Sequence, residues 1–282
     1  MSTAFSFTNW ITISDIPRPC KSVGAHLAAK LDSFSTDERT LTDELCDMLC
    51  IWLGMSTLIS SSSLPKFTIT LAKTTSSVEV KNGADLELKI QSPLGIKKCL
   101  IQAKVLNPET GELRCHTKAG WKKLRKQLAK ARKEVGDLGF LLVYIPGRLL
   151  NGKDYGYSTY EQSILKTSGC IEASFGATLI AIDDLLGPSD RWRYSKLKVP
   201  QITPGDFKNG VPLWKFLLEL MLCRRGTWNS QVDSDDNDTY GALQSLTITA
   251  GEISTSQWRE FQNMSDQWLS EDDEESPNDE QR

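Results

Sequence analysis

The stretch Gly83-Ala84-Asp85-Leu86-Glu87-Leu88-Lys89-Ile90, then Gln91-Ser92-Pro93-Leu94-Gly95, then Ile96-Lys97-Lys98-Cys99-Leu100-Ile101-Gln102-Ala103-Lys104-Val105-Leu106, decides how this chain is read. Asp85 to Ile90 and Lys98 to Leu106 read as strands, and Ser92-Pro93-Leu94-Gly95 between them supplies a turn. An antiparallel hairpin follows. Gln102 and Lys104 share a face because they are two apart on one strand. Asp85 joins them only where it lies opposite Gln102 or Lys104, since directly opposed side chains share a face. A one-residue slip sends Asp85 to the other side.

Working outward, Lys21 to Ser33 reads as a short helix, with Val23, Leu27 and Leu31 at fourfold spacing. Ser35-Thr36-Asp37-Glu38 has the capping-box pattern and opens a helix running to about Gly54. Leu41, Leu45, Met48, Leu49 and Trp52 form its apolar stripe. Phe67 to Leu71 alternates and is β-branched, so it reads as a strand. Lys118 to Val135 is strongly helical and ends near Gly136. Gly139 to Ile145 is a continuous apolar run stopped by Pro146, the pattern of a central strand covered on both faces. Ala177 to Ile182 suggests another strand, and Leu213 to Cys223 a buried helix. This order predicts an α/β fold, a mixed central β-sheet flanked by helices as an α/β/α sandwich. Residues 1–40 read as an N-terminal extension, 41–225 as the folded domain, and 226–282 as an acidic, largely disordered tail. Within that tail, Trp258, Phe261 and Trp268 mark a short docking helix, and Glu271 to Glu275 is too charged to fold alone.

The net charge of −3 divides into +9 for residues 1–225 and −12 for 226–282. A basic body favours a polyanionic partner. No run of eighteen apolar residues is present, which argues against a membrane span, and no secretory leader is visible near Met1. The seven cysteines are irregularly spaced, without a Cys-x-x-Cys pair, and fit reduced thiols in a cytoplasmic protein. Cys115 and His116 lack the paired spacing of a zinc site.

Cleaving a phosphodiester needs a nucleophilic water and charge relief at phosphorus, and a hard divalent cation with oxygen ligands supplies both. Asp85 offers a carboxylate and Gln102 an amide oxygen. Lys104 is placed to orient the attacking water or to stabilise the pentavalent transition state. A second acid is wanted. Glu44, at the margin of the helical stripe beside Leu41 and Met48, is the first choice, with Asp43 and Glu87 behind it. The helix from Lys118 presents Lys122, Lys123, Lys126 and Lys130 on a face with no acid before Glu134, which suits phosphate tracking. Gln127 lies on the border of that helix's apolar stripe, pointing toward the site.

These residues resemble the PD-(D/E)XK nuclease superfamily in its Gln-x-Lys variant. The likeness is to a bacterial family with a domain of unknown function that carries Gly-Ala-Asp followed by Gln-Ala-Lys, here Gly83-Ala84-Asp85 and Gln102-Ala103-Lys104. A Gln in the following helix is matched by Gln127, and the likeness runs from about Leu41 to Ile145. The resemblance implies a Mg²⁺-dependent endonuclease, with Mn²⁺ as a substitute, in restriction, repair or phage defence. It implies Asp85, Glu44 and Gln102 as metal ligands, Lys104 as the catalytic amine, and DNA ahead of RNA as substrate. Gln in place of an acid lowers the ligand charge. The alternative is therefore a catalytically weak or inactive nucleic-acid-binding protein, regulated by its acidic tail or by a protein partner. The oligomeric state, including a homo-oligomer, stays open.

Overall fold

The computed structural model describes residues 3–12, 17–34, 36–56, 66–73, 84–113, 117–150, 175–186, 210–222, 224–229, 242–250, 254–259 and 263. Its strands are β1 (Thr3–Thr12), β2 (Lys66–Lys73), β3 (Ala84–Ser92), β4 (Gly95–Val105), β5 (Gly139–Tyr144), β6 (Ala177–Ala181), β7 (Val211–Pro212) and β8 (Ala242–Ala250). The helices are α1 (Pro17–Ser33), α2 (Glu38–Ser56), α3 (Lys118–Val135), α4 (Gly147–Leu150), α5 (Ile182–Leu186) and α6 (Leu213–Met221). The strands form one eight-stranded mixed sheet in the order β1-β2-β8-β3-β4-β5-β6-β7.

Side-chain alternation splits the core in two. One set, with Leu86, Leu88 and Ile90 from β3 and Ile101 and Ala103 from β4, packs under α1, α2 and α6. The other, with Leu100, Leu141 and Val143, packs under Trp121, Leu124, Leu128 and Ala131 of α3 and Leu185 of α5. The fold is thus the expected α/β/α sandwich. β5 carries residues of both sets and is buried along its whole length, as a strand covered on both faces must be.

α3 has the predicted bounds for a local reason. Thr117 caps its start by accepting the Gly120 N–H at 3.0 Å. Gly136, at φ 61°, ends it with its N–H on the Arg132 carbonyl.

Three expectations are corrected. First, residues 1–40 are no extension. β1 pairs with β2, and Val23, Leu27 and Leu31 of α1 lie in the core. Second, the acidic segment 226–282, expected to be a largely disordered tail, contributes described residues to the fold itself. β8 sits inside the sheet, antiparallel to β2 and parallel to β3. Trp258 is fully buried, edge-on to Trp228 at 6.1 Å. Ser254 and Gln257 form a reciprocal capping box at the helical turn that carries it, with N–H to side-chain distances of 2.9 and 3.2 Å. Third, Asp37 caps α2 through the Thr40 N–H and hydroxyl, both at 2.9 Å, while Ser35, the first residue of the expected capping box, lies outside the described residues. These bonds hold the Asp37 carboxyl below its usual range, the backbone one most strongly.

Cys20, Cys46, Cys50 and Cys99 are buried thiols outside any disulfide, and burial pushes the Cys99 thiol up to about 12. No helix among the described residues is long and apolar enough to cross a membrane. Gly83, Cys115, His116, Phe261, Trp268 and Glu271 to Glu275 lie outside the described residues.

Candidate active site

The β3–β4 ladder runs from Ser92↔Gly95 at the turn to Leu86↔Ile101. Continued by one step, this register sets Asp85 opposite Gln102. By alternation, Asp85 and Glu87 of β3 and Leu100, Gln102 and Lys104 of β4 share the face toward α3. The ladder stops at Leu86, and Asp85 takes over its work. Its Oδ2 accepts the Ala103 N–H at 2.9 Å and a bond from Gln102 Nε2. The Ala103 carbonyl receives Lys104 Nζ at 2.8 Å and Gln102 Nε2 at 3.3 Å. Both backbone polar groups of Ala103 are therefore satisfied by site side chains, which locks the cluster to the strand.

Lys104 also donates to Glu38 Oε1 at 2.5 Å, linking the hairpin to the first turn of α2. Burial pushes the Asp85 carboxyl up to about 6. Lys104, the Ala103 N–H and, more weakly, Lys123 oppose that rise, while Glu38 adds to it. Gln102 is buried, and its Oε1 has no hydrogen-bond partner. Asp85, Gln102 and Lys104 are thus one contiguous group, with Glu38 beside Lys104.

Glu44 is not part of it. α2 has two margins, and Glu44 lies on the one turned toward α1. There His26 takes Oε1 at 2.8 Å and Lys30 takes Oε2. Burial works to raise the Glu44 carboxyl, but the bonds from Lys30 and His26 prevail and leave it below its usual range. The other margin holds Asp43, which accepts from the buried Gln244 of β8. Glu87 is fully buried among Lys89 at 3.2 Å, Lys98 at 3.3 Å and Ser245 Oγ at 3.2 Å.

Sequence reasoning missed Glu38, treating it only as a capping-box acid. A signal was available. Glu38, Leu41, Thr42 and Leu45 stand at i, i+3, i+4 and i+7, so the buried stripe of α2 extended back one turn lands on Glu38. Tyr144 of β5 donates to Thr42 Oγ1 at 3.0 Å and helps fix this end of α2 against the sheet. Glu38→Gln is expected to lower any activity of the site about tenfold or more, while Glu44→Gln should change it less than about twofold. Equal losses in a cleavage assay would count against this assignment.

On α3, Lys122, Lys123, Lys126 and Lys130 are exposed, and Gln127 is half-buried one turn beyond Lys123. Among the described residues Gln127 makes no side-chain bond to Asp85, Gln102 or Lys104. The flanks of the helix are pinned by ion pairs, Arg132 to Asp183 at 2.6 Å and Glu134 to Lys98 at 3.2 Å.

The group suits a hard divalent cation by donor type. Asp85, the partnerless Gln102 Oε1 and Glu38 all offer oxygen atoms, the donor type such a cation prefers. Among the described residues, no three His, Cys, Asp or Glu side chains form a group that could hold a metal ion. No protein-family model, curated protein or solved structure matches this chain.

Proposed function

We propose that the chain is a Mg²⁺-dependent endonuclease that hydrolyses phosphodiester bonds of DNA, with Mn²⁺ able to substitute. The observation that supports this best is the convergence of Asp85, Gln102 and Lys104 at the point where β3 leaves β4, joined by Glu38. The resemblance to PD-(D/E)XK nucleases adds the setting of restriction, repair or phage defence.

A cation held by Asp85, Gln102 Oε1 and Glu38 would lower the pKa of a bound water and offset charge on the phosphate. The chain's own groups do the rest. Lys104 keeps its ammonium against Glu38 and the Ala103 carbonyl, which aims a donor at the site. Such a preset donor stabilises developing negative charge without reorganising at the moment of reaction. Asp85 is held by two donors and so stays in one rotamer. The exposed lysines of α3 attract the polyanion. Lys123 carries that field to Asp85 itself.

Supercoiled plasmid incubated with purified protein and Mg²⁺ is the direct assay. Asp85→Ala and Lys104→Ala should each reduce nicking on the order of a hundredfold or more. Nicking that survives both substitutions sinks the reading.

One observation favours a second reading, in which the domain binds nucleic acid without cutting. Gln102 supplies no charge and spends its Nε2 on Asp85. Calorimetry would then detect no Mg²⁺ binding at all, whereas metal-dependent nicking ends that alternative. Under either reading Lys122→Ala and Lys126→Ala should weaken DNA binding uniformly across sequences. Each should reduce the steepness of the log–log salt dependence by about 1.

A further inference from the structure

We propose that the Gln102 side-chain amide is a two-position switch. Nε2 faces Asp85 when no cation is present, and the amide turns to present Oε1 when a divalent cation binds. This rests on the reading of the Asp85 group as a cation site.

Gln102 is 1% exposed, so its amide is cut off from bulk solvent. Its donor end is fully used, on Asp85 Oδ2 and the Ala103 carbonyl. Its acceptor end is buried with no partner. A buried acceptor left unsatisfied costs about 1–3 kcal/mol, so this orientation persists only for what the donor end gains. Without a cation, the reverse orientation would set the amide oxygen against the Asp85 carboxylate. A cation between them inverts that preference, because it attracts both oxygens.

What the cation must offset in this turn is local: the Nε2 protons go to the side where Oε1 has no partner, and Oε1 comes to face the Ala103 carbonyl. The last glutamine torsion is broad and roughly two-fold, so exchanging N and O moves no backbone. Each acceptor that loses Nε2 also keeps another donor. Asp85 Oδ2 retains the Ala103 N–H at 2.9 Å, and the Ala103 carbonyl retains Lys104 Nζ at 2.8 Å. Gln244 differs, although its Oε1 is likewise buried without a partner. Its Nε2 is the side-chain donor to Asp43, on the opposite face of the sheet. It therefore serves as an internal control.

The test is a Mg²⁺ titration of the full chain. It follows the Asp85 carboxyl carbon and the side-chain amide protons of Gln102 and Gln244 by NMR. The Gln102 signals are assigned by their loss in Gln102→Met. The Asp85 carbon and the Gln102 protons should shift together, the latter upfield as they leave the carboxylate, while the Gln244 protons stay in place. Gln102→Glu, which adds a carboxylate to the site, should bind Mg²⁺ about tenfold tighter or better by calorimetry, and an unchanged affinity would count against a cation at position 102. If the Asp85 carbon shifts and the Gln102 protons do not, the switch is overturned and the cation site stands. If neither responds at millimolar Mg²⁺, the cation site itself is overturned, and the switch with it.

Discussion

Asp85→Asn is expected to abolish cleavage and, above pH 6, to raise the melting temperature. Burial is the dominant influence on this carboxyl and lifts it from the ordinary 3.8 to about 6. The folded state therefore holds the proton more tightly than the unfolded chain does. Below about pH 4 the group is neutral in both states and costs nothing. As pH rises from there to about 6, the folded protein must either keep the proton or bury a charge, and stability falls. Above 6 the loss is complete, at about 3 kcal/mol for a rise of this size. Asn carries no charge and can still accept the Ala103 N–H. The substitution should then gain up to about that amount at neutral pH, several degrees in Tm, and nothing in acid. Thermal melts of the two proteins across this pH range would check it. Equal melting temperatures at pH 8 would show that ionised Asp85 carries no burial cost. Activity and stability pulling in opposite directions is the mark of a group kept for chemistry.

Truncation after Arg225 should leave a chain that does not melt cooperatively. Read from the sequence alone, 226–282 is an acidic, largely disordered tail that could be removed without loss of the fold. β8 excludes this. It is hydrogen-bonded along both edges, from Phe67↔Ala250 to Lys73↔Gln244 with β2 and from Ala84↔Ala242 to Gln91↔Thr249 with β3. Deleting it separates β1 and β2 from the remainder and bares two strand edges. Leu246, Ile248 and Trp258 leave the core with it. Each large buried side chain is worth about 2–5 kcal/mol, so the three together rival the whole stability of an ordinary domain. Calorimetric melting of the truncated chain measures this, and a sharp transition near that of the full chain would refute it. A cut after Asn263 removes Glu271 to Glu275 but spares β8 and Trp258, so the protein should keep a cooperative transition. That shorter protein is the proper one in which to ask whether the acidic stretch shields α3.

The sequence carried the site's pairing because a hairpin is local. Ser92-Pro93-Leu94-Gly95 fixes the turn, and period-two alternation then leaves Asp85 few places to lie. α3 was legible because its caps, Thr117 and Gly136, and its stripe all lie within one segment. β1 and β8 were missed although each alternates, as in Phe5-Ser6-Phe7 and Leu246-Thr247-Ile248-Thr249. β8 lies in a segment whose acidic composition argued against structure and β1 in one of mixed, uninformative composition, and a strand is stabilised by its neighbours more than by its own residues.

The choice between Glu44 and Glu38 shows the limit most sharply. By itself the sequence indicated an α/β sandwich, a hairpin with Asp85 opposite Gln102 or Lys104, and a basic helix, each read from a pattern within one stretch of chain. The structure chose Gln102. Only the tertiary structure decided which margin of α2 meets α1 and which end meets Lys104, and that β8 enters between β2 and β3. Those outcomes depend on how separate elements dock, and a helical wheel carries no information about what stands opposite it.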